Sequence, residues 1–264
     1  MRTQREKGLA FRDLHAGEPF VIPNPWDGGS ARVLEALGFQ ALATTSSGFA
    51  FTLGRLDGTV TLDEIEAHVR LLAEVCDLPV SVDLENGYGA APEAAAEAIR
   101  RVAAAGAVGG SIEDWDRDEE RFYALDDARE RVSAAAEAAH ALPFPFLLTA
   151  RAENLIHGVD DLDDTIERLR AFEAAGADVL FAPGLRTPEQ IRTVRDAVSK
   201  PLNVLAFPGM NVRELAEAGA QRISVGGGMT WAAAGALAAA AQEVLEQGTF
   251  GALESSRDVR GWLS

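Results

Sequence analysis

Short apolar runs alternate with longer amphipathic segments along almost the whole chain. The runs are nearly continuous in apolar residues, which is typical of strands that are buried on both faces of a parallel sheet. We therefore predict eight strands, at Phe20–Pro23, Ala41–Thr45, Val80–Glu85, Val108–Glu113, Phe146–Arg151, Val179–Ala182, Leu202–Ala206 and Arg222–Val225.

The segments between the strands repeat apolar residues at the spacing of one helix face. They predict helices at Thr61–Cys76, Pro92–Ala105, Asp126–Ala141, Asp163–Ala175, Pro188–Val198 and Val212–Ala218. Glycine closes four helical segments directly before a strand, at Gly38, Gly106, Gly176 and Gly219, as a left-handed helix end requires. A doubly wound sheet rarely needs eight βα units. We therefore expect an α/β protein whose residues 1–264 form a single (β/α)₈ TIM barrel, with its active site at the carboxyl ends of the strands.

The last predicted helix differs from the others in composition. The predicted helix Trp231–Glu246 is rich in alanine and glycine on nearly all faces, and its large apolar residues are Trp231, Leu237, Val244 and Leu245. A helix without a polar face is usually buried on more than one side. We therefore expect residues 229–264, this helix and the tail through Trp262, to lie in the interface of a homo-oligomer, a dimer or a tetramer.

Charge and cysteine content exclude several classes of partner. The chain has 264 residues, 24 of them Lys or Arg and 41 Asp or Glu, for a net charge of −17. Without a basic patch we expect no nucleic acid partner and no anionic membrane partner. The single cysteine, Cys76, excludes an internal disulfide. Together with the absence of an apolar signal segment in residues 1–15, it leads us to expect a cytoplasmic protein.

Acidic residues close three of the predicted strands, the last of them in Ala150-Arg151-Ala152-Glu153 after the fifth strand. Asp83 and Glu85 end the third strand, and their spacing of two residues would place both on one face. Glu113 and Asp114 end the fourth, where neighbours point to opposite sides; we assign Glu113 to the barrel mouth and Asp114 to a helix cap or the surface. Carboxylates that face one cavity favour a hard divalent cation.

Two further features of the predicted mouth suit an anion. Arg151 ends the fifth strand, where it either pairs with a neighbouring glutamate or binds a substrate carboxylate in a forked geometry. Hydroxyl groups follow the second strand in Thr45, Ser46 and Ser47, a run that forms either an anion-binding loop or an ordinary turn. Cys76 lies at the far end of its helix, so we interpret it as a buried structural thiol. The four histidines show no metal-ligand spacing.

These residues resemble a known family over nearly the whole chain. The matching segments are Asn24-Pro25-Trp26-Asp27, Thr45-Ser46-Ser47, Leu53-Gly54-Arg55-Leu56-Asp57, Asp83-Leu84-Glu85-Asn86-Gly87-Tyr88-Gly89, Ser111-Ile112-Glu113-Asp114 and Thr149-Ala150-Arg151. In this order and spacing they resemble the isocitrate lyase/phosphoenolpyruvate mutase superfamily, and within it the phosphoenolpyruvate mutase-like branch. Members of that superfamily are barrels that bind Mg²⁺ and small 2-oxo or 2-hydroxy acids.

The resemblance implies a role for each matching residue. Asp83 would bind Mg²⁺ directly, with Mn²⁺ as a possible substitute, and Glu85, Glu113 and Asp57 would hold metal-bound water. Thr45, Ser46, Ser47 and Asp83 would bind the substrate, Arg151 would contact it and with Asp57 form the catalytic set, and Trp26 would wall the pocket. The resemblance also implies that the last helix is exchanged between subunits.

Two departures from the superfamily pattern affect the expected reaction. Residues 115–123 contain none of the cysteine, lysine and histidine that the lyases carry after Ile-Glu-Asp, and Glu85 stands where many relatives have aspartate. Our leading expectation is a Mg²⁺-dependent lyase that cleaves a C–C bond of a small 2-oxo or 2-hydroxy dicarboxylic acid through an enolate-like intermediate. The alternatives are a phosphonopyruvate-type mutase or hydrolase acting on a P–C bond, and a 2-oxo acid binding protein without turnover.

Overall fold

A computed structural model describes residues 1–254 and 258–263 of the chain. Ten strands occur in these ranges. They are β1 (Phe20–Ile22), β2 (Leu42–Ala43), β3 (Val80–Asp83), β4 (Gly109–Glu113), β5 (Trp115–Asp116), β6 (Arg121–Phe122), β7 (Leu147–Arg151), β8 (Val179–Phe181), β9 (Leu202–Leu205) and β10 (Arg222–Ser224).

Eleven α-helices accompany the strands in the same ranges, with a short 3₁₀ helix at Arg260–Trp262. They are α1 (Gln4–Ala16), α2 (Gly28–Ala36), α3 (Ser46–Thr52), α4 (Leu62–Val75), α5 (Pro92–Ala104), α6 (Leu125–His140), α7 (Leu162–Ala174), α8 (Pro188–Ala197), α9 (Val212–Glu217), α10 (Gly228–Gln247) and α11 (Gly251–Glu254).

The strands form the predicted (β/α)₈ TIM barrel. In the described part of the chain, eight parallel strands follow the order β1-β10-β9-β8-β7-β4-β3-β2, and β5 and β6 form a separate antiparallel hairpin. A backbone hydrogen bond of 3.0 Å from Ala43 to Pro23 links the two ends of the sheet. The predicted single-domain α/β barrel is therefore confirmed, and parallel strand ends collect side chains at one mouth.

The predicted strands and helices lie within one to three residues of the observed ones, with one consequential difference. Strand β3 ends at Asp83, and Glu85 lies in the following turn with a φ of 50°. The expectation that Asp83 and Glu85 share one face of a continuous strand is therefore wrong. The predicted glycine helix ends are confirmed, since Gly106 has a φ of 115° and Gly176 a φ of 103°, values that a residue with a Cβ rarely adopts.

Helix α1 closes the end of the barrel opposite the mouth. Phe11 of α1 is fully buried in an apolar cluster with the barrel residues Phe20, Val108 and Leu147. Lys7 of α1 donates a hydrogen bond of 2.8 Å to the carbonyl of Cys76, directly after α4. Cys76 is itself buried, as predicted, and burial raises the pKa of its thiol to about 11.

Helix α10 leaves much of its surface uncovered by this chain. Trp231 is 53% exposed, Leu237 69% and Leu245 86%. The exchange of this helix between subunits, and the interface over residues 229–264, stay predictions; residues 255–257 and 264 of that segment lie outside the described residues. Within the described ranges, no helix combines the length and apolar character needed to cross a bilayer.

Candidate active site

Arg151 lies at the centre of the acidic cluster that forms the barrel mouth. It ends β7, and its three guanidinium nitrogens contact three different carboxylates. Nη1 lies 2.7 Å from Asp83, Nη2 lies 2.9 Å from Glu113, and Nε lies 2.9 Å from Glu153. The register of the parallel strands brings these side chains together. Glu113 on β4 is directly opposite Arg151 on β7, and Asp83 on β3 is opposite Ser111 of β4. The glutamate pairing considered for Arg151 is present; its contact with substrate stays a prediction.

Burial and charge perturb these groups in opposite directions. Burial raises the pKa of Glu113 well above its usual range, and the nearby guanidinium of Arg151 only partly offsets this. Burial alone would lower the pKa of Arg151, but the carboxylates of Glu153, Glu113 and Asp83 outweigh it, so the pKa of this arginine is raised. Arg151 therefore remains a fixed positive charge at the mouth.

Glu85 is buried although it lies outside the strand. Its carboxylate forms an ion pair with Arg117, which lies in the β5–β6 hairpin, and burial raises the pKa of Glu85 to about 7 despite this pair. One of its oxygens, Oε1, is buried without a hydrogen-bond partner. Glu85 and Tyr88 have left-handed backbone conformations, with φ of 50° and 61°. Such strain in residues with a Cβ costs about 1–3 kcal/mol each and is commonly retained at functional sites.

Arg131 of α6 supports the turn that carries Glu85. It is 2% exposed, and its guanidinium donates hydrogen bonds to the backbone carbonyls of Asn86, Ala90 and Ala91. The Asn86 side chain in turn donates a 3.1 Å hydrogen bond to the hydroxyl of Tyr123. The loop after β3 is therefore held by the outer helix layer as well as by the strand.

Asp114 is neither a helix cap nor a surface residue, so that expectation is wrong. It is 2% exposed and pairs with Arg168 of α7 at 3.1 Å. Its other oxygen accepts a 2.8 Å hydrogen bond from the backbone N–H of Glu153. Burial raises the pKa of Asp114 to about 6, although both of these contacts lower it. Asp114 thus fixes the backbone that presents Glu153 to Arg151.

The hydroxyl loop after β2 is the N-terminal turn of α3. Thr45 caps the helix, and its Oγ1 lies 3.2 Å from the hydroxyl of Ser47. The backbone N–H of Ser46 donates a 3.1 Å hydrogen bond to Asp83 Oδ2, and the Asp83 N–H donates to Thr44 Oγ1 at 2.9 Å. The loop and Asp83 are therefore fixed relative to each other beside Arg151.

A cavity of about 250 Å³ opens at this mouth. The predicted site residues Thr45, Ser46, Ser47, Asp57, Asp83 and Arg151 line it. Trp26 is not among the lining residues. It packs against Gly48 of α3, where a Cβ built on the glycine would lie 3.2 Å from the Cβ of Trp26. Glu85 and Glu113 are not among the lining residues and form the ion pairs described above. The functional role predicted for each of these residues stays a prediction.

The carboxylates at the barrel mouth are suitable ligands for a divalent cation, but they do not surround one position as a complete metal site would. Across residues 1–254 and 258–263, no three His, Cys, Asp or Glu side chains are placed to hold a metal together. The guanidinium groups of Arg117 and Arg151 stand among Asp83, Glu85, Glu113 and Glu153 instead. Four carboxyls against two guanidiniums leave two negative charges if all are ionised. This fits an ion held by Asp83, substrate and water, the arrangement that Mg²⁺ prefers.

Two contributors to the site were given no specific role from the sequence. Glu153 was recognised among the acids that follow the strands, but its pairing with Arg151, two residues earlier, was not predicted. Arg117 lies in an unusually polar segment, and its approach to Glu85 depends on the β5–β6 hairpin, which no local pattern indicates. Both residues help to hold the acidic cluster together.

Comparison with known proteins identifies the family. Residues 11–245 match the profile of the family described as phosphoenolpyruvate phosphomutase. A crystal structure from Burkholderia cenocepacia J2315, described provisionally as a lyase or mutase, is 49% identical with a TM-score of 0.94 and covers 98% of this chain and 95% of its own.

Two relatives have established names. The 2-methylisocitrate lyase of Escherichia coli (strain K12) is 31% identical over 76% of this chain and 70% of its own length. The oxaloacetate decarboxylase of Rhodopseudomonas palustris (strain BisB18) is 29% identical over 84% of this chain and 78% of its own. The chain belongs to the phosphoenolpyruvate mutase family, and is thus an enzyme of the isocitrate lyase/phosphoenolpyruvate mutase superfamily.

Proposed function

We propose that the protein is a Mg²⁺-dependent lyase, also active with Mn²⁺, that cleaves a C–C bond of a small 2-oxo or 2-hydroxy dicarboxylic acid through an enolate-like intermediate. The observation that carries this proposal is the contact between Arg151 and Asp83 on a cavity shared with the hydroxyl-bearing turn of α3. It places a forked cation, an oxygen ligand for a metal and small polar donors around one space. The named relatives that act on C–C bonds support the same reaction class.

Each part of the mouth has a task in this reaction. The guanidinium of Arg151 and the turn from Thr45 to Ser47 bind and orient a substrate carboxylate, since donors in a fixed fork match a carboxylate well. Asp83 would hold the ion, and Glu85 and Glu113 would fix metal-bound water. When bound, the ion would supply Lewis-acid polarisation of the substrate oxygen.

Turnover measurements test this proposal. Malate, oxaloacetate and phosphonopyruvate would each be incubated with the protein in Mg²⁺ or EDTA, and products followed by NMR. We expect Mg²⁺-dependent cleavage of at least one of the C–C substrates. Asp83→Ala should lose at least about a hundredfold in rate, equivalent to about 2.7 kcal/mol. The matched control is Asp13→Ala, which removes an exposed carboxylate paired with Arg12.

Two other outcomes would contradict the proposal. Turnover of phosphonopyruvate alone would favour the P–C bond chemistry that the name of the matching family profile suggests. Binding of these acids without turnover of any of them would favour a binding protein that has kept the pocket.

We also propose that the enzyme works as a homo-oligomer, a dimer or a tetramer, built on α10 and the tail in residues 229–264. The large exposed side chains Trp231, Leu237 and Leu245 support this, because a second copy would bury apolar surface that one copy leaves in water. Exchange of α10 between subunits would achieve that burial.

A further inference from the structure

The barrel interior directly beneath the mouth is polar. Residues two apart on a strand face the same side. Beneath Asp83 lies Ser81, and beneath Arg151 lies Thr149, while Ser111 is in register with both Asp83 and Thr149. TIM barrels usually fill such layers with branched apolar side chains. Ser81 and Ser111 instead line the same cavity as Asp83 and Arg151.

Arg222 of β10 lies at the lower end of this cavity. It is 5% exposed and lines the cavity together with Asn203. Its Nε donates a 2.8 Å hydrogen bond to Asn203 Oδ1, and its Nη2 donates a 3.0 Å hydrogen bond to Thr149 Oγ1. Its Nη1 lies 3.3 Å from His15 Nε2. These contacts aim the guanidinium inward, at the level of Thr149.

The partners of Arg222 are all neutral. His15 Nδ1 lies 2.8 Å from the carbonyl of Phe11, which assigns its proton to Nδ1 and leaves Nε2 to accept from Arg222. Burial first, and Arg222 second, lower the pKa of His15 to about 3, so it carries no charge near neutral pH. Within the described ranges no aspartate or glutamate forms an ion pair with Arg222, in a protein of net charge −17.

A buried guanidinium without a counter-charge is energetically unfavourable. Burial lowers the pKa of Arg222 to about 9, in the direction that this penalty predicts. Three of the five guanidinium N–H groups are accounted for by the contacts above, and the residue lines the cavity. An anion placed there would supply both the missing charge and the missing acceptors.

We propose that the lower end of the cavity is an anion subsite in which Arg222, assisted by Asn203 and the hydroxyls of Ser81 and Ser111, binds a carboxylate-sized anion. Two sources share this chemistry: the second carboxylate of a diacid substrate, or a separate small anion. The first source rests on the proposed function and makes Arg222 the residue that selects diacids over monoacids. The second source does not depend on the reaction.

The spacing of the layers agrees with a diacid. Thr149, which accepts from Arg222, and Arg151, which closes the mouth, are two residues apart on β7. Two residues of a strand span about 6.6 Å. A small diacid could therefore place one carboxylate at the mouth and extend the other toward Arg222, without any movement of the barrel wall.

The test compares the full-length protein with Arg222→Met, Arg222→Lys and Asn203→Asp. The control is Arg213→Met, which removes an arginine 86% exposed on α9. Thermal unfolding would be followed against sodium formate and sodium chloride at constant ionic strength. We expect formate to raise the Tm of the wild type and of Arg213→Met with saturation, and to have no such effect on Arg222→Met. Asn203→Asp places a carboxylate beside Arg222, so it should unfold at a higher Tm without anion and lose the formate response.

Calorimetric titration with malate and lactate distinguishes the two sources, because these 2-hydroxy acids differ by one carboxylate. If the substrate supplies the anion, malate should bind Arg222→Met at least about tenfold more weakly, equivalent to about 1.4 kcal/mol, while lactate affinity changes less than about twofold. Arg222→Lys should fall between. A formate response without this difference would assign the subsite to a separate anion.

The subsite is overturned if formate, malate and lactate act alike on the wild type and on Arg222→Met. If that variant does not fold, an unchanged formate response in Asn203→Asp overturns it equally. A wild type that shows the formate response but turns over none of the acids would contradict the proposed function and leave the subsite standing.

Discussion

Replacing Arg151 with methionine removes the guanidinium that holds three carboxylates together at the mouth. The side chain of Arg151 is 16% exposed, and the carboxylates of Glu113 and Glu153 are 7% and 4% exposed, so water cannot take over its role. Breaking a buried ion pair by removing one partner costs about 3–5 kcal/mol. We therefore expect Arg151→Met to lower the free energy of unfolding by about that amount.

Lysine in the same position should be intermediate. It keeps the charge but replaces a fork that reaches Asp83, Glu113 and Glu153 at 2.7, 2.9 and 2.9 Å with a single nitrogen. Losing one charge-assisted hydrogen bond costs about 1.5–3 kcal/mol, and we expect Arg151→Lys to lose about this much stability. Its affinity for a 2-oxo acid should fall by a similar amount, with Mg²⁺ affinity little changed.

Urea unfolding at pH 7, followed by tryptophan fluorescence and circular dichroism, measures the stability loss, with midpoints compared at an unchanged m-value. Arg213→Met is the matched control, since its ion pair with Glu217 is exposed and should contribute no more than about 1 kcal/mol. If Arg151→Met costs no more than this control, the carboxylates do not depend on Arg151 and the account of the mouth is wrong.

Three further predictions concern other parts of the molecule. Cys76→Ala should keep the activity within about twofold, a change below about 0.4 kcal/mol, and the native thiol should resist iodoacetamide, because its pKa is about 11. The pKa of His15 is about 3 in the folded protein and about 6.5 in the unfolded chain, so its contribution to stability is complete above pH 6.5 and is lost as pH falls toward 3. In His15→Gln the free energy of unfolding, measured by urea titration, should therefore depend less steeply on pH in this range, by up to about 1.4 kcal/mol per pH unit. The double variant Leu237→Glu, Leu245→Glu should be a monomer, with a mass near 28.0 kDa by light scattering, because both changes place charge on the exposed face of α10. The control Leu37→Glu, at another exposed leucine, should leave the oligomer intact. An unaltered mass in the double variant would show that α10 is not part of the interface.

The barrel could be predicted because its pattern is local. Apolar runs such as those around Val80 and Leu147 read as strands without knowledge of their neighbours, and glycines such as Gly106 mark the helix ends. Helix α1 was not predicted, because the charged residues of Gln4–Ala16 obscure the face that buries Phe11. Helix α2 was not predicted either, since it begins with two glycines.

The site was predictable only in part, because its geometry depends on contacts between distant segments. Strand ends indicated which acids meet at the mouth, but β3 ends at Asp83, and the loop with the left-handed turn at Glu85 is held by Arg131 of α6 through the carbonyl of Asn86. The pairing of Asp114 with Arg168 joins residues on different elements, and no short spacing records it. Arg222 began a predicted strand, and nothing in the sequence indicated its neutral surroundings.

Locating a metal by anomalous scattering tests the central claim most directly. Crystals of the protein grown with Mn²⁺ and oxalate would be measured near the manganese absorption edge. We predict one strong peak at the mouth, bound to Asp83 Oδ at about 2.0–2.3 Å, with oxalate completing the coordination beside Arg151. Ordered oxalate in the cavity without a peak at Asp83, or a peak bound only elsewhere on the molecule, would contradict the account.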